Sequence, residues 1–166
     1  MTDNRHFHIR GARPADAPLI LNFIRELASY EKLAHEVSAT QGDIQNNLFG
    51  ARPKVECVIA EHDGTPIGFA LYFHNFSTFL GKPGLYLEDL YVQPAFRGQG
   101  YGRKLLSHLA KLALDRGCGR FEWAVLDWNA PAIGFYKKLG ANIMTDWRIN
   151  RLSGSALDKL ASEASD

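Results

Sequence analysis

The groups best able to do chemistry stand in or beside one stretch, Gln93–Gly102, which reads QPAFRGQGYG. Arg97, Gly98, Gly100 and Gly102 make four of its last six residues Arg or Gly. The apolar run GLYLEDLYV, with the adjacent carboxylates Glu88 and Asp89, precedes it, and the helical run RKLLSHLAKLALDRG follows. A strand, a glycine-rich turn and a helix start suggest a phosphate cradle. The first N–H groups of a helix have no partner within it, and glycine lacks the Cβ that would block an anion. Three patterns compete. A P-loop needs GxxxxGK[ST], but here Arg103 and Lys104 follow Gly102 and no Ser or Thr follows the lysine. A dinucleotide fingerprint needs GxGxxG, and the spacing of Gly98, Gly100 and Gly102 is one residue too tight. Glu122 does stand where a ribose-binding acid would, about 20 residues on. The third pattern, R-x-x-G-x-G, is met by Arg97, Gly100 and Gly102, and would set successive N–H groups around a diphosphate. A plain glycine-rich turn remains the alternative.

Strict strand alternation puts Tyr86, Glu88, Leu90 and Val92 on one face of the preceding run, and Leu85, Leu87, Asp89 and Tyr91 on the other. Both carboxylates then lie among apolar neighbours in a strand that reads as central. A buried acid has either a structural cation partner or a task, and both readings stay open here. Downstream, DWNAPAIGFYKKLGA sets Phe135 beside Tyr136 on a predicted helix. Neighbours on a helix point about 100° apart, so one ring can fill a core patch while the other faces elsewhere.

These residues need elements to hold them. HFHIRGA reads as a first strand, and Pro14 opens a helix with Ile20, Phe23, Ile24 and Leu27 on one stripe. Thr40 and Asp43 look like the cap and first-turn acid of a short helix ending near Leu48. VECVIAEHDGTPIGFALYF reads as a hairpin turning at HDGT. The helix from about Tyr101 carries Leu105, Leu109, Leu112 and Ala113 on one stripe and stops at Gly117. RFEWAVLDW is the next expected strand. Asn129 caps a helix with Pro131 in its first turn, closing at Gly140. MTDWRINRLSG reads as a last strand, and residues from Ser155 onward as a small helix or frayed tail. A hairpin first and one βαβ crossover later predict an α/β (α+β) mixed sheet with helices on both faces.

Composition sets bounds. The 166 residues, 46% hydrophobic, suit one domain over 1–166. A net charge of +1 provides no global field for nucleic acid or a membrane surface. Cys57 and Cys118 read as reduced core residues, and no CxxC or Cys/His cluster suggests a metal. His6 and His8 share a strand face with no third ligand nearby. MTDNRHFHIR lacks the apolar core of a signal peptide, and no run is long enough to span a bilayer. The expectation is a cytoplasmic protein without a membrane or nucleic-acid partner.

Taken together, YLEDLYV, RGQGYG and WNAPAIGFYKKLGA resemble the GCN5-related N-acetyltransferases, and within them the diamine (spermidine/spermine) and thialysine acetyltransferases. The resemblance runs from IRGARPADAPLILNFIRELASYEK through WRINRL, nearly the whole chain. It implies a partly splayed mixed sheet, acetyl-coenzyme A as donor without a metal, a small-molecule amine as acceptor, and a homodimer. Acyl transfer from a thioester to an amine must remove a proton from the amine, stabilise an oxyanion and protonate the thiolate. At pH 7 only about one lysine-like amine in two thousand is neutral, so forming it costs about 4–5 kcal/mol.

The resemblance assigns the base to Glu88 and the acid to Tyr136, whose phenol is close in pKa to an alkyl thiol, so that proton transfer is nearly thermoneutral. It implies coenzyme contacts at Leu90, Tyr91, Val92, Arg97, Gly98, Gln99, Gly100, Tyr101, Gly102 and Asn129, with an oxyanion donor among the N–H groups of Leu90 to Val92. It implies acceptor contacts at Tyr30, Glu31, Glu88 and Asp89. Lys32 and His35 interrupt the acidic run that diamine enzymes carry in the matching segment, SYEKLAHEV. A long polycation wants several carboxylates, which favours a shorter, lysine-like amine. A coenzyme A-binding module without turnover and a protein-lysine acetyltransferase are the alternatives. A dinucleotide oxidoreductase is disfavoured by the glycine spacing and by the hairpin-first order.

Overall fold

A computed structural model describes residues 6–164. The first five residues of MTDNRHFHIR, part of the leader reading, lie outside the described residues, as do the last two of the tail. The trace divides into two compact units, Met1–Leu126 and Asp127–Asp166.

In the first unit the elements run β1 (Phe7–Gly11), α1 (Ala17–Tyr30), α2 (Gln41–Phe49), β2 (Glu56–His62), β3 (Thr65–Ser77), β4 (Lys82–Val92), α3 (Tyr101–Asp115) and β5 (Arg120–Trp123). The sheet order is β1-β2-β3-β4-β5. Every pairing is antiparallel except β4 with β5, which is parallel. This is the expected mixed sheet, with α3 as the crossover. Local chemistry sets the element ends. Thr40 Oγ1 accepts from the Asp43 N–H at 3.2 Å, and the Asp43 carboxylate accepts from the Thr40 N–H at 2.8 Å, a reciprocal cap for α2. Arg10 donates to both Asp16 oxygens at 2.7 and 2.9 Å and to Glu61 at 2.6 Å, tying the turn before α1 to β1 and β2.

One face of the sheet offers Cys57, Ile59, Phe69, Leu71 and Tyr91 to Ile20, Leu21 and Phe23 of α1 and Ile44 and Leu48 of α2. Alternation turns Val58, Ala60, Ala70 and Tyr72 to the other face, and α3 packs against β4 and β5 with Leu105, Leu106, Leu109 and Ala113 buried. Leu106 takes the buried place that the sequence pattern gave to Leu112, which is half-buried. Each fully buried side chain such as Phe23, Phe69 or Leu105 contributes about 1.5–3 kcal/mol.

Two expectations for the first unit change. The fifth strand covers Arg120–Trp123 only, because its ladder with β4 ends at the Leu87–Trp123 pair. Cys118 sits half-buried in the turn before β5 rather than in a strand, and both cysteines are free thiols. Among the described residues no helix is long and apolar enough to cross a membrane, and no group of His, Cys, Asp and Glu could hold a metal ion.

The second unit holds α4 (Ala130–Lys138) and α5 (Gly154–Ala161). The run Met144–Gly154, expected as a last strand, forms none. Met144, Trp147, Ile149 and Leu152 are exposed there, so no ladder buries an alternate face. Without a paired neighbour, strand propensity does not outweigh the entropy of an extended chain.

Candidate active site

The glycine-rich turn is strung between two anchored side chains. After β4, the Gln93 N–H still bonds to the Ile67 carbonyl of β3 at 2.8 Å, and a single turn at Pro94–Phe96 leads to Arg97. Gly98 and Gly100 then take positive φ angles of 76° and 80°, which side-chain-bearing residues rarely adopt. Gly100 is the N-cap of α3 and supplies no side-chain cap. The first bond of the helix runs from the Lys104 N–H to the Gly100 carbonyl at 3.0 Å, leaving the N–H groups of Tyr101, Gly102 and Arg103 without intrahelical partners. A Cβ on Gly98 or Gly100 would meet no atom within 4 Å, so the approach to this backbone is open. Exposed N–H groups at a helix N-terminus, with space in front, fit a diphosphate.

Two of the residues assigned to this cradle use their side chains elsewhere. The Arg97 guanidinium donates from Nε to the Val92 carbonyl at 2.9 Å and lies 4.8 Å from the Tyr30 ring centre and 5.4 Å from that of Tyr91. It joins the end of α1, the end of β4 and the start of the turn. Tyr101 is buried: its ring stacks on Phe7 at 4.5 Å and its hydroxyl meets His62 Nδ1 at 2.7 Å. Only its backbone N–H faces the turn's open side.

β4 departs from strict alternation at Glu88. Leu71 pairs with Asp89 and Tyr72 with Leu87, so Glu88 is an extra residue, a β-bulge. The faces expected from sequence are therefore exchanged halfway along the strand. Leu85 and Leu87 share a face with Leu90 and Val92, and Tyr86 shares one with Asp89 and Tyr91. The two acids part as a result. Glu88 is exposed, whereas Asp89 turns under α1. The bulge also coincides with the end of the β4–β5 ladder. Because Gln93 points its N–H toward β3, alternation aims those of Leu90 and Val92 at the side where β5 has stopped pairing.

Asp89 opens on a cavity of about 150 Å³ walled by Ile24, Leu27, Leu33 and Val37, with Glu31 and Glu36 on its rim. Burial, and then the negative charges of Glu88 and Glu31, push its carboxyl up to about 6. Burial also raises Glu31. Among the described residues no Lys, Arg or His lies within ion-pair distance of Asp89, so the structural ion pair that would explain a buried acid is not formed. Glu36 also lines this cavity, although the sequence separates it from Glu31. Lys32 takes a left-handed conformation (φ 62°) and the Leu33 N–H bonds back to the Ala28 carbonyl at 2.7 Å. That reversal returns Glu36 to the same cavity.

In the second unit, Asn129 is buried, and its Oδ1 accepts from the Ala132 N–H at 3.4 Å, the cap expected for α4. Tyr136 lies half-buried next to Phe135, with ring centres 5.6 Å apart. Phe135 is also half-buried, so neither ring is a core residue.

The acetyltransferase (GNAT) family model matches residues 21–141. The thialysine N-epsilon-acetyltransferase of Sus scrofa is 42% identical over 164 residues, covering 92% of this chain and 96% of the relative. The L-ornithine N5-acetyltransferase NATA1 of Arabidopsis thaliana is 33% identical, covering 96% of this chain and 90% of the relative. An integron cassette protein from V. cholerae superposes with a TM-score of 0.79 at 28% identity, over 95% of this chain and 99% of that one. An aminoglycoside acetyltransferase from a soil metagenome shares the fold, with a TM-score of 0.75 at 17% identity over 90% and 99% of the two chains.

Proposed function

This chain belongs to the acetyltransferase (GNAT) family, and from that premise we propose that it acetylates the primary amine of a short, lysine-like or diamine small molecule, as a single domain over 1–166. The family implies acetyl-coenzyme A as the cosubstrate, which brings the thioester whose acyl carbon the amine attacks. One observation carries the acceptor reading: a small, partly apolar cavity ringed by Glu31, Glu36 and the unneutralised Asp89. The negative charges of Glu88 and Glu31 bear on the Asp89 carboxyl, and an ammonium group relieves that repulsion. The apolar walls at Ile24, Leu27, Leu33 and Val37 suit the methylene chain of an aminoalkyl arm whose charged end meets the carboxylates.

The roles follow. The N–H groups of Gly98, Gln99, Gly100, Tyr101 and Gly102 hold the coenzyme diphosphate at the positive end of α3. Arg97 braces that turn against Val92 and Tyr30. The N–H groups of Leu90 and Val92, freed by the end of the ladder and flanking Tyr91, bind the acyl oxygen as charge gathers on it. Glu88 on the bulge takes the amine proton directly or through water, Asp89 and Glu31 hold the substrate's charge beside Tyr30, and Tyr136 protonates the departing thiolate. Asn129 contacts the coenzyme while capping α4. A homodimer and a cytoplasmic location belong to the same proposal.

The test is release of free thiol from acetyl-coenzyme A with a panel of amines: thialysine, lysine, ornithine, short diamines, spermidine, spermine and a lysine peptide. The expected ranking puts lysine-like amines above spermine in kcat/KM. Coenzyme binding without turnover on any amine would favour a regulatory module. Preference for the peptide would move the acceptor class to protein lysines.

A further inference from the structure

We infer that His62, at the end of β2 and outside the active-site motifs, is a positioning residue that holds the coenzyme cradle in its binding shape through the Tyr101 hydroxyl. The inference rests on the coenzyme reading above. Tyr101 is the first residue of α3, so its backbone N–H is one of the open donors, while its side chain points the other way into the fold. Three contacts fix that side chain. Its ring stacks on Phe7 of β1 at 4.5 Å with the planes 7° apart, Lys104 Nζ lies 5.3 Å from its centre, and its hydroxyl reaches His62 Nδ1 at 2.7 Å.

Asp63 biases the direction of the hydrogen bond electrostatically. Its carboxylate stands 3.5 Å from His62 Nε2 and favours a proton there. Nδ1 is then left as the acceptor, and the Tyr101 hydroxyl donates to it. Asp63 is itself held in a left-handed turn conformation (φ 49°) and paired with His6. The His62 ring also sits 5.5 Å from that of Phe96, the residue before Arg97. One imidazole therefore touches both ends of the glycine segment.

Between those ends, Gly98 and Gly100 have the widest backbone freedom of any residue type, and binding a diphosphate must remove it. Arg97 is fixed on one side by Val92 and Tyr30. Tyr101 is fixed on the other by His62 and Phe7. With both ends anchored, ordering is completed during folding rather than during binding, which strengthens the affinity without adding a contact to the ligand.

The experiment measures coenzyme A binding by calorimetry, with steady-state kinetics and melting curves, for the wild type, Tyr101→Phe, His62→Ala, His62→Asn and the double variant Tyr101→Phe/His62→Ala. Tyr101→Phe keeps the stacked ring and removes only the hydroxyl. His62→Asn places an amide where Nδ1 stood. The expected result for Tyr101→Phe and His62→Ala is a coenzyme A Kd raised about 3- to 10-fold, the worth of one hydrogen bond. For His62→Ala the amine KM, and kcat at saturating donor, should stay within about twofold of wild type. His62→Asn should recover most of the affinity. The double variant should lose no more than the weaker-binding single variant, because both break one contact. A lowered melting temperature with unchanged coenzyme Kd in either folded single variant would overturn the inference, as would additive losses. His62 is about a quarter exposed at the end of β2, so its variants decide the matter if Tyr101→Phe does not fold. If wild-type protein does not bind coenzyme A at all, the functional reading fails, and that arm separates the two failures.

Discussion

Asp89 is a half-buried carboxyl with no cation partner among the described residues, and its titration has a definite sign. The unfolded group ionises near 3.8 and the folded one near about 6. Below pH ~4 both states keep the proton and the group is neutral toward stability. Between these values the folded state binds the extra proton, so stability falls as pH rises, and above about 6 the loss is complete. Asp89→Asn should therefore melt higher than wild type at pH 8 and match it at pH 3.5. An ammonium ligand favours the ionised form, so the amine KM of wild type should fall as pH rises through about 6, and Asp89→Asn should lose that dependence. A flat melting difference across pH would mean that Asp89 titrates as an ordinary surface acid. Glu31→Gln should raise the amine KM about 3- to 30-fold with kcat nearly intact, because it removes ground-state binding. Tyr136→Phe should act on the other parameter: kcat falls about 10²- to 10⁴-fold, the usual range for a lost general acid, while coenzyme Kd holds. If kcat stays within about threefold, another group or water delivers that proton.

At the scale of elements, the turn before α3 separates two kinds of glycine. Gly100 needs its left-handed backbone (φ 80°), so Gly100→Val is strained wherever space exists and loses stability together with coenzyme binding. Gly102 has ordinary φ, and an added Cβ would meet its nearest neighbour, Leu90 Cδ2, at 3.9 Å. Gly102→Ala therefore fits the fold, and alanine favours the helix by up to about 1 kcal/mol. It also puts a methyl group on the helix turn assigned to the diphosphate. The expected outcome is a melting temperature at or above wild type with coenzyme A affinity reduced at least about tenfold. Wild-type affinity in Gly102→Ala would remove the first turn of α3 from the phosphate site. The bulge in β4 belongs to this scale too. It falls where the ladder with β5 ends, beside the N–H groups of Leu90 and Val92, and sends the two acids in different directions.

For the whole molecule, coenzyme A at ~100 times its Kd should add about 2.7 kcal/mol of stability. For a domain of this length that is a rise in Tm of roughly 5–11 °C. NAD should give no such rise, since the glycine spacing departs from the dinucleotide fingerprint. A shift with NAD and none with coenzyme A would reverse the assignment of the cradle. The proposed homodimer is tested by sedimentation equilibrium, where a single-chain mass at every concentration would exclude it. Met144, Trp147 and Ile149 are exposed, so a dimer that covers them should also protect this segment from proteolysis.

Short-range chemistry was legible from the chain alone. Thr40 and Asp43 close the start of α2, Asn129 caps α4, and Gly100 and Gly117 bound α3 because caps and left-handed turns depend on residues within one helical turn. The motif order from YLEDLYV to GFYKKLGA likewise carried the family and the mixed sheet. What only the tertiary structure decided depends on partners far along the chain. Glu88 is extra because Leu71 and Tyr72, some sixteen residues earlier, pair on either side of it, and an inserted residue leaves no mark on a pattern read as strict alternation. That one insertion makes Asp89, rather than Glu88, the acid that turns inward. Arg97 looks like a phosphate ligand in its motif, but the Val92 carbonyl and the Tyr30 ring claim its guanidinium. Met144–Gly154 has the composition of a strand and no ladder to join. Propensity proposes a strand, and a paired neighbour decides whether one forms.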